Sequence, residues 1–297
     1  MKKFDIKKIL VPTDFSETAN KAINQAIAIA VTTNAKLKLI HVIKPNDIMP
    51  AGFIKTWDDS IYKKAKKELK KIVKNIKKNN SITVSIDVKI GSIDEEICVM
   101  AKKEKMDLIV IGTHGTSGVK EFFVGSNAYK IVSKALCPVL TIQKKPIDLT
   151  FKNIILPIRL ERNSRQKVDY VVELAHLFNS TVFITGFTND KNKSKQDKVK
   201  QYVAQVEKYL TKHNINHKSR SIFADNFTKE ILVHATNNKA DLIVVMKEND
   251  FSVDQLIKGP FAQQFVNHSS IPVLSIPVFS DPDMMVYSPF LSGSTPY

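Results

Sequence analysis

Gly112, Gly115 and Gly125 fall in the single stretch VIGTHGTSGVKEFFVGS (110–126), which with Gly118 holds four of the chain's nine glycines. An apolar run, Leu108-Ile109-Val110-Ile111, leads into it, and Asn127-Ala128-Tyr129-Lys130-Ile131-Val132 follows at helical spacing. A strand, a glycine loop and a helix start in that order make a cradle for phosphate. Glycine has no Cβ, so backbone N–H groups at 112 and 115 can approach an anion closely and adopt positive φ. At Gly125-Ser126 the free N–H groups of a first helical turn, with their partial positive charge, favour the same anion, and the Ser126 hydroxyl is a further donor.

Asp14, in VPTDFS, stands two residues beyond the first apolar run. In a doubly wound sheet ligands bind outside the carboxyl ends of the strands where strand order reverses, and Asp14 would face that crevice. A carboxylate there can bind a ribose hydroxyl or hold a magnesium ion that bridges phosphates. Asp14 and Ser16 are also both good helix caps, so capping and ligand contact stand open together for Asp14. His114 reads as an exposed loop residue rather than an acid or base, since no nucleophile or second carboxylate is placed with it. Trp57, Phe122 and Phe123 read as packing groups. No GxxxxGK[ST] sequence occurs, so P-loop hydrolysis is not indicated.

The elements that would position these residues occur twice. KKILVPTDFS (7–16) returns as KNIILPIRLE (152–161), DLIVIG (107–112) as DLIVVM (241–246), and CPVLTIQ (137–143) as IPVLSIP (271–277). The last two pairs share an offset of 134 residues and the first is offset by 145, so the first half carries about eleven extra residues, placed in 44–60. Short Val/Ile/Leu runs alternate with helix-period segments in each half, the pattern of βαβ units around a parallel sheet buried on both faces. The expected strands are 7–12, 36–43, 83–90, 107–112 and 138–143, with helices over 16–33, 57–79, 93–104 and 126–135. In the second half strands are expected at 152–157, 180–187, 217–223, 241–246 and 272–276. The segment 144–151 is a short linker, which implies tight packing of the halves.

At 297 residues and 43% hydrophobic content the chain suits two domains, each with its own core. No apolar run reaches the roughly 20 residues of a membrane span, and the start lacks the features of a signal peptide, so a soluble protein is expected. Cys98 and Cys137 lie in apolar periodic segments and read as buried thiols of a reducing cytoplasm. The formal charge of +16 raises the question of nucleic acid. Much of it comes from 62–80, where Ala65, Leu69, Ile72, Val73 and Ile76 recur at helical spacing among lysines. Without interleaved aromatics, that segment reads as a solvated helix face and argues against nucleic acid.

The spacing Gly112-x2-Gly115-x9-Gly125-Ser126 resembles the ATP-binding signature of the universal stress protein family, and ILVPTDFSETANKAINQAIAIA resembles its opening strand and helix. GSIDEEI (91–97) and CPVLTI extend the likeness over the whole first half; the second half matches in outline. The resemblance implies an α/β fold of two tandem Rossmann-like domains, akin to the adenine nucleotide alpha hydrolases, each with a five-stranded parallel sheet of order 3-2-1-4-5. Their implied limits are 1–145 and 151–278, with a C-terminal tail over 279–297.

The resemblance carries nucleotide contacts onto Pro12, Thr13, Asp14, Val42 (adenine, through its backbone), Gly91, Gly112, His114, Gly115, Gly125, Ser126 and Asn127. Asp14 is also the candidate magnesium ligand, and no catalytic residue is assigned. The family usually has a small or aliphatic residue where Asn127 stands. The implied role is ATP or adenine-nucleotide binding in a cytoplasmic stress response or energy sensing, without efficient turnover. A nucleotide-independent dimerisation or partner-binding scaffold is the alternative, and a slow ATPase the third reading. Family members pair through their last strands, which implies an internal pseudo-dimer of the two halves and leaves a homodimer open. In the second half Asp14 becomes Arg159, Gly91 Asp225, Gly112 Met246, Gly115 Asn249 and Ser126 Pro260, while Gly259 matches Gly125. Side chains at 246 and 249 would fill the phosphate approach and Pro260 removes a donor, so nucleotide binding is expected to be lost there. Arg159 is left either to an ion pair or to another anion.

Overall fold

The computed structural model describes residues 4–45, 59–113, 126–143, 150–247, 265 and 269–278, which form two compact units, Asp5–Lys144 and Lys145–Tyr297, the latter with Met1–Phe4. In the first domain, β1 (Lys8–Pro12), β2 (Lys36–Ile43), β3 (Val84–Ile90), β4 (Leu108–Gly112) and β5 (Val139–Ile142) alternate with helices. These are α1 (Glu17–Thr33), α2 (Asp59–Asn79), α3 (Ile93–Lys103) and α4 (Ser126–Lys134). All strand pairings are parallel and run β3-β2-β1-β4-β5. The central strands are buried, with Ile9, Leu10, Val11, Ile109 and Val110 fully shielded. Their near-continuous apolar runs therefore serve helices on both faces rather than one wet and one dry face.

The second domain repeats the plan with β6 (Asn153–Ile158), α5 (Val168–Phe178), β7 (Thr181–Thr188), α6 (Lys193–Lys212), β8 (His217–Phe223), α7 (Phe227–Asn237), β9 (Leu242–Met246) and β10 (Val273–Ile276). Its parallel pairings run β10-β9-β6-β7-β8. Every expected strand is present, its limits within one residue of those read from the apolar runs.

The duplication reaches single residues. Asp107 Oδ2 accepts hydrogen bonds from the backbone N–H groups of Lys7 and Lys8, both at 2.9 Å, and so fixes the start of β1 against the start of β4. Asp241 does the same for Lys152 (2.9 Å) and Asn153 (3.1 Å). The aspartate that opens both DLIV runs is thus a strand-start clamp. Likewise α1 and α5 both end on an asparagine in the left-handed region, Asn34 (φ 56°) and Asn179 (φ 51°), a conformation asparagine tolerates better than most residues.

The halves differ where β1 and β6 hand over to their helices. α1 starts at Glu17, capped by Ser16, whose hydroxyl accepts from Ala19 N–H at 3.2 Å. In the second domain the matching residues form a short 3-10 turn, Arg162–Arg165, and α5 begins only at Val168. Gly112 explains the difference. A Cβ there would lie 2.9 Å from the backbone carbon of Thr18 and 3.0 Å from its oxygen, so glycine lets the first turn of α1 sit directly on the end of β4. The second domain has Met246 at that place, and its side chain is buried. A methionine at that place leaves less room for a helical turn than glycine does, and a 3-10 turn stands there.

Two expectations need correction here. Gly112 was read as free to adopt positive φ beside a phosphate; its φ is not positive, and its missing Cβ also makes room for helix α1. Cys98, on α3, and Cys137, in the bend after α4, are half-buried rather than buried. The extra residues placed in 44–60 fall largely on 46–58, and the linker on 144–149, outside the described residues.

Candidate functional site

Because the strands are parallel, their carboxyl ends share one edge of the first domain's sheet. Pro12 ends β1 and Thr13 and Asp14 follow it, Val42 lies one residue from the end of β2, Gly91 follows β3, and Gly112 ends β4. Ser126 and Asn127 open α4. These eight residues thus lie along one edge of the sheet, and the strand order reverses between β1 and β4. His114, Gly115 and Gly125 lie outside the described residues, as do Asn249, Gly259 and Pro260 of the second half.

The turn after β1 is built by short-range hydrogen bonds. Thr13 N–H donates to the Ile40 carbonyl (2.9 Å), continuing the β1–β2 ladder one step. Thr13 Oγ1 then accepts from Phe15 N–H (3.0 Å), and Asp14 Oδ1 accepts from Ser16 N–H (3.0 Å). Helix capping, open between Asp14 and Ser16, belongs to Ser16, while Asp14 is exposed just beyond the end of β1. Val42 is half-buried and pairs with Lys89 in the β2–β3 register. Gly91 has φ +156°, a conformation side-chain-bearing residues seldom adopt, and donates to the Ile43 carbonyl at 3.1 Å. Its counterpart Asp225 is exposed and has no positive φ.

Two supports escaped the sequence reading. Thr113 is buried, its N–H donating to the Ile142 carbonyl (3.0 Å) and its hydroxyl to Gln143 Oε1 (2.6 Å), so the chain beyond β4 leaves from a point tied to the end of β5. Asp94, buried in the first turn of α3, accepts from the Ser92 hydroxyl (3.0 Å) and pairs with Lys134 in the last turn of α4. Burial alone would raise its pKa; the hydrogen bonds from Lys134 and Ser92 outweigh that and hold the carboxylate below its ordinary range. The pair joins the helix after Gly91 to the helix that opens with Ser126. The sequence shows Asp94 only as one of several acids at a helix start, and a partner 40 residues away leaves no local signal.

Cys137 follows α4, and burial, with the neighbouring Cys98 second, pushes its thiol up to about 12, which keeps it protonated and unreactive at neutral pH. In the second domain Arg159 stands where Asp14 stands in the first. Its guanidinium pairs with Glu161 Oε1 at 2.6 Å and lies over the Phe227 ring, 6.0 Å from the centroid. Among the described residues no group of three or more His, Cys, Asp or Glu side chains is arranged to hold a metal. A magnesium ion would fit Asp14 only as a single carboxylate completed by phosphate oxygens and water, the usual way that ion is held with nucleotides.

Comparison with known proteins settles the family. The model of the universal stress protein family matches residues 5–143 and again residues 150–277. The chain belongs to the universal stress protein family. Among curated relatives, two universal stress proteins of Methanocaldococcus jannaschii are similar to it. One is 34% identical over 155 residues, covering 47% of this chain and 96% of the relative; the other is 31% identical over 140 residues, covering 46% and 82%. Among solved structures, a universal stress protein from Archaeoglobus fulgidus shares the fold across both domains, with a TM-score of 0.75 at 17% identity, covering 94% of this chain and 99% of that one. A universal stress protein of two tandem domains is therefore the frame for its function. No helix among the described residues is long and apolar enough to cross a membrane.

Proposed function

We propose that the first domain (1–145) binds ATP or a related adenine nucleotide at the carboxyl edge of its sheet, and that the second domain (151–278) has lost this capacity. The chain, with its 279–297 tail, would act in a cytoplasmic stress response or in energy sensing without efficient turnover. The observation that carries this reading is the division of labour after β1: Ser16 caps α1, which leaves Asp14 exposed at the strand-order reversal. A carboxylate at that edge can bind a ribose hydroxyl or hold magnesium. Pro12, Thr13, Val42, Gly91, Gly112, Ser126 and Asn127 lie along the same edge, and His114, Gly115 and Gly125 belong to the loop expected to close it.

The test is a thermal-shift and calorimetric titration of the full chain with ATP and magnesium, beside an Asp14→Asn variant. Saturating nucleotide should raise the melting temperature, since a ligand at 100 times its Kd stabilises the native state by about 2.7 kcal/mol. Asp14→Asn should weaken binding about tenfold, the loss of one charge-assisted contact. No shift and no heat with ATP would leave the chain a nucleotide-independent scaffold. The two halves are further proposed to associate as an internal pseudo-dimer, since each ends in a short apolar strand of the kind that needs a covering partner. Separately produced halves without affinity for each other would overturn this.

A further inference from the structure

Phe15 is the residue between Asp14 and the cap of α1, and its backbone has φ 65°. A bulky side chain in the left-handed region is strained and persists only where its surroundings enforce it. His41 on β2 supplies the enforcement. Its ring stacks on Phe15 with centroids 4.6 Å apart and planes at 30°. Its Nδ1 lies 2.8 Å from the Thr13 carbonyl oxygen. A carbonyl can only accept, so the ring carries a proton on Nδ1 and donates it there. One imidazole therefore grips the turn twice, at the carbonyl before Asp14 and at the side chain after it.

The second domain provides the internal contrast. The residues matching Thr13, Phe15 and His41 are Ile158, Leu160 and Gly186, with Ile158 and Gly186 paired in the β6–β7 register. Leu160 has no positive φ. Gly186 has no side chain to reach across, and the space a Cβ would fill is taken by Val203 and Val199 of α6, at 2.6 and 3.0 Å. The double grip is therefore present in the half that keeps Asp14 and absent from the half with Arg159.

We propose that His41 is a positioning residue that, with Phe15, locks the Thr13–Asp14 turn and so couples the end of β2, beside Val42, to the carboxylate of Asp14. This rests on the nucleotide-binding reading of the same crevice. The lock makes the base end and the ribose-phosphate end of that site one rigid unit, so that Asp14 works at full strength only while His41 holds the turn.

The test uses the full chain and two readouts. With ATP and magnesium, His41→Ala should weaken affinity about tenfold, and His41→Asn, whose side-chain amide can donate from the place of ring Nδ1, should recover most of it. Asp14→Asn should cost about tenfold in the wild-type background but less than about twofold beside His41→Ala, because an unheld carboxylate has little left to lose. Equal Asp14→Asn effects in both backgrounds would reduce His41 to a structural residue and overturn the proposal. The second readout needs no nucleotide. Exchange of the Phe15 and Ser16 amide protons, bonded to Thr13 and Asp14, should accelerate at least tenfold in His41→Ala and slow again in His41→Asn. Unchanged exchange refutes the lock even if the wild-type chain binds no ATP, whereas accelerated exchange with no ATP binding retains the lock and discards the nucleotide reading.

Discussion

Lys167 is almost wholly shielded from solvent, at the place Ala22 holds in the first domain. Its ammonium donates to the Ser164 carbonyl of the preceding turn. Burial, and then repulsion by Arg159, bring its pKa down to about 7 against a weaker opposing pull from Glu161. In the unfolded chain the same group titrates near 10.4. Between about pH 7 and 10 the unfolded state therefore holds a proton that the folded state has released, and stability rises with pH across that window. Below pH 7 both states are protonated and the full penalty of the buried charge is felt. Lys167→Met should stabilise the second domain by a few kcal/mol at pH 6.5 and abolish this part of the rise. Urea unfolding of both proteins at pH 6.5, 8 and 9.5 checks it, the difference between them being the readout because the other lysines titrate in both. A constant difference across the series would show that Lys167 keeps its charge.

At the scale of elements, the contact between β4 and the first turn of α1 admits nothing larger than glycine. Gly112→Ala would press a Cβ against the Thr18 backbone, which cannot rotate away as a side chain could. Overpacking of this kind costs roughly 1–3 kcal/mol, and thermal melting of the full chain should show the loss in the first domain. Met246→Gly should also destabilise, by about 2–5 kcal/mol, because the side chain it deletes is buried. A harmless Gly112→Ala would return that glycine to the loop's own chemistry. The strands were legible because a buried parallel strand needs an unbroken Val/Ile/Leu run, and the duplication was legible because DLIV and PVL recur. The late start of α5 was not, since Met246, which stands where Gly112 makes room for α1, lies some 80 residues beyond that turn. Asp14 was legible as a residue at a strand end, but its release from capping depended on Ser16 taking the Ala19 N–H. His41 carried no signal, because a histidine within a strand looks the same whether it faces solvent or grips a neighbouring turn.

At the scale of the whole molecule, one fold is present twice with different residues at the two carboxyl edges. In the first domain the edge at the strand-order reversal carries an exposed carboxylate, Asp14, and a glycine in a conformation side chains avoid, Gly91. In the second the same edge carries Arg159 paired with Glu161, Asp225 without positive φ, and the buried side chain of Met246. A cation already paired with a carboxylate offers no ligand to magnesium and replaces the acceptor that a ribose hydroxyl would meet at Asp14. Each chain should therefore bind one adenine nucleotide. Calorimetry should fit a single site per chain, Asp14→Asn should weaken it, and Arg159→Gln should leave both stoichiometry and affinity unchanged. Two equivalent sites, or a loss of affinity in Arg159→Gln matching that in Asp14→Asn, would mean that the second edge takes part in binding and that the duplication has been kept for its chemistry as well as its fold.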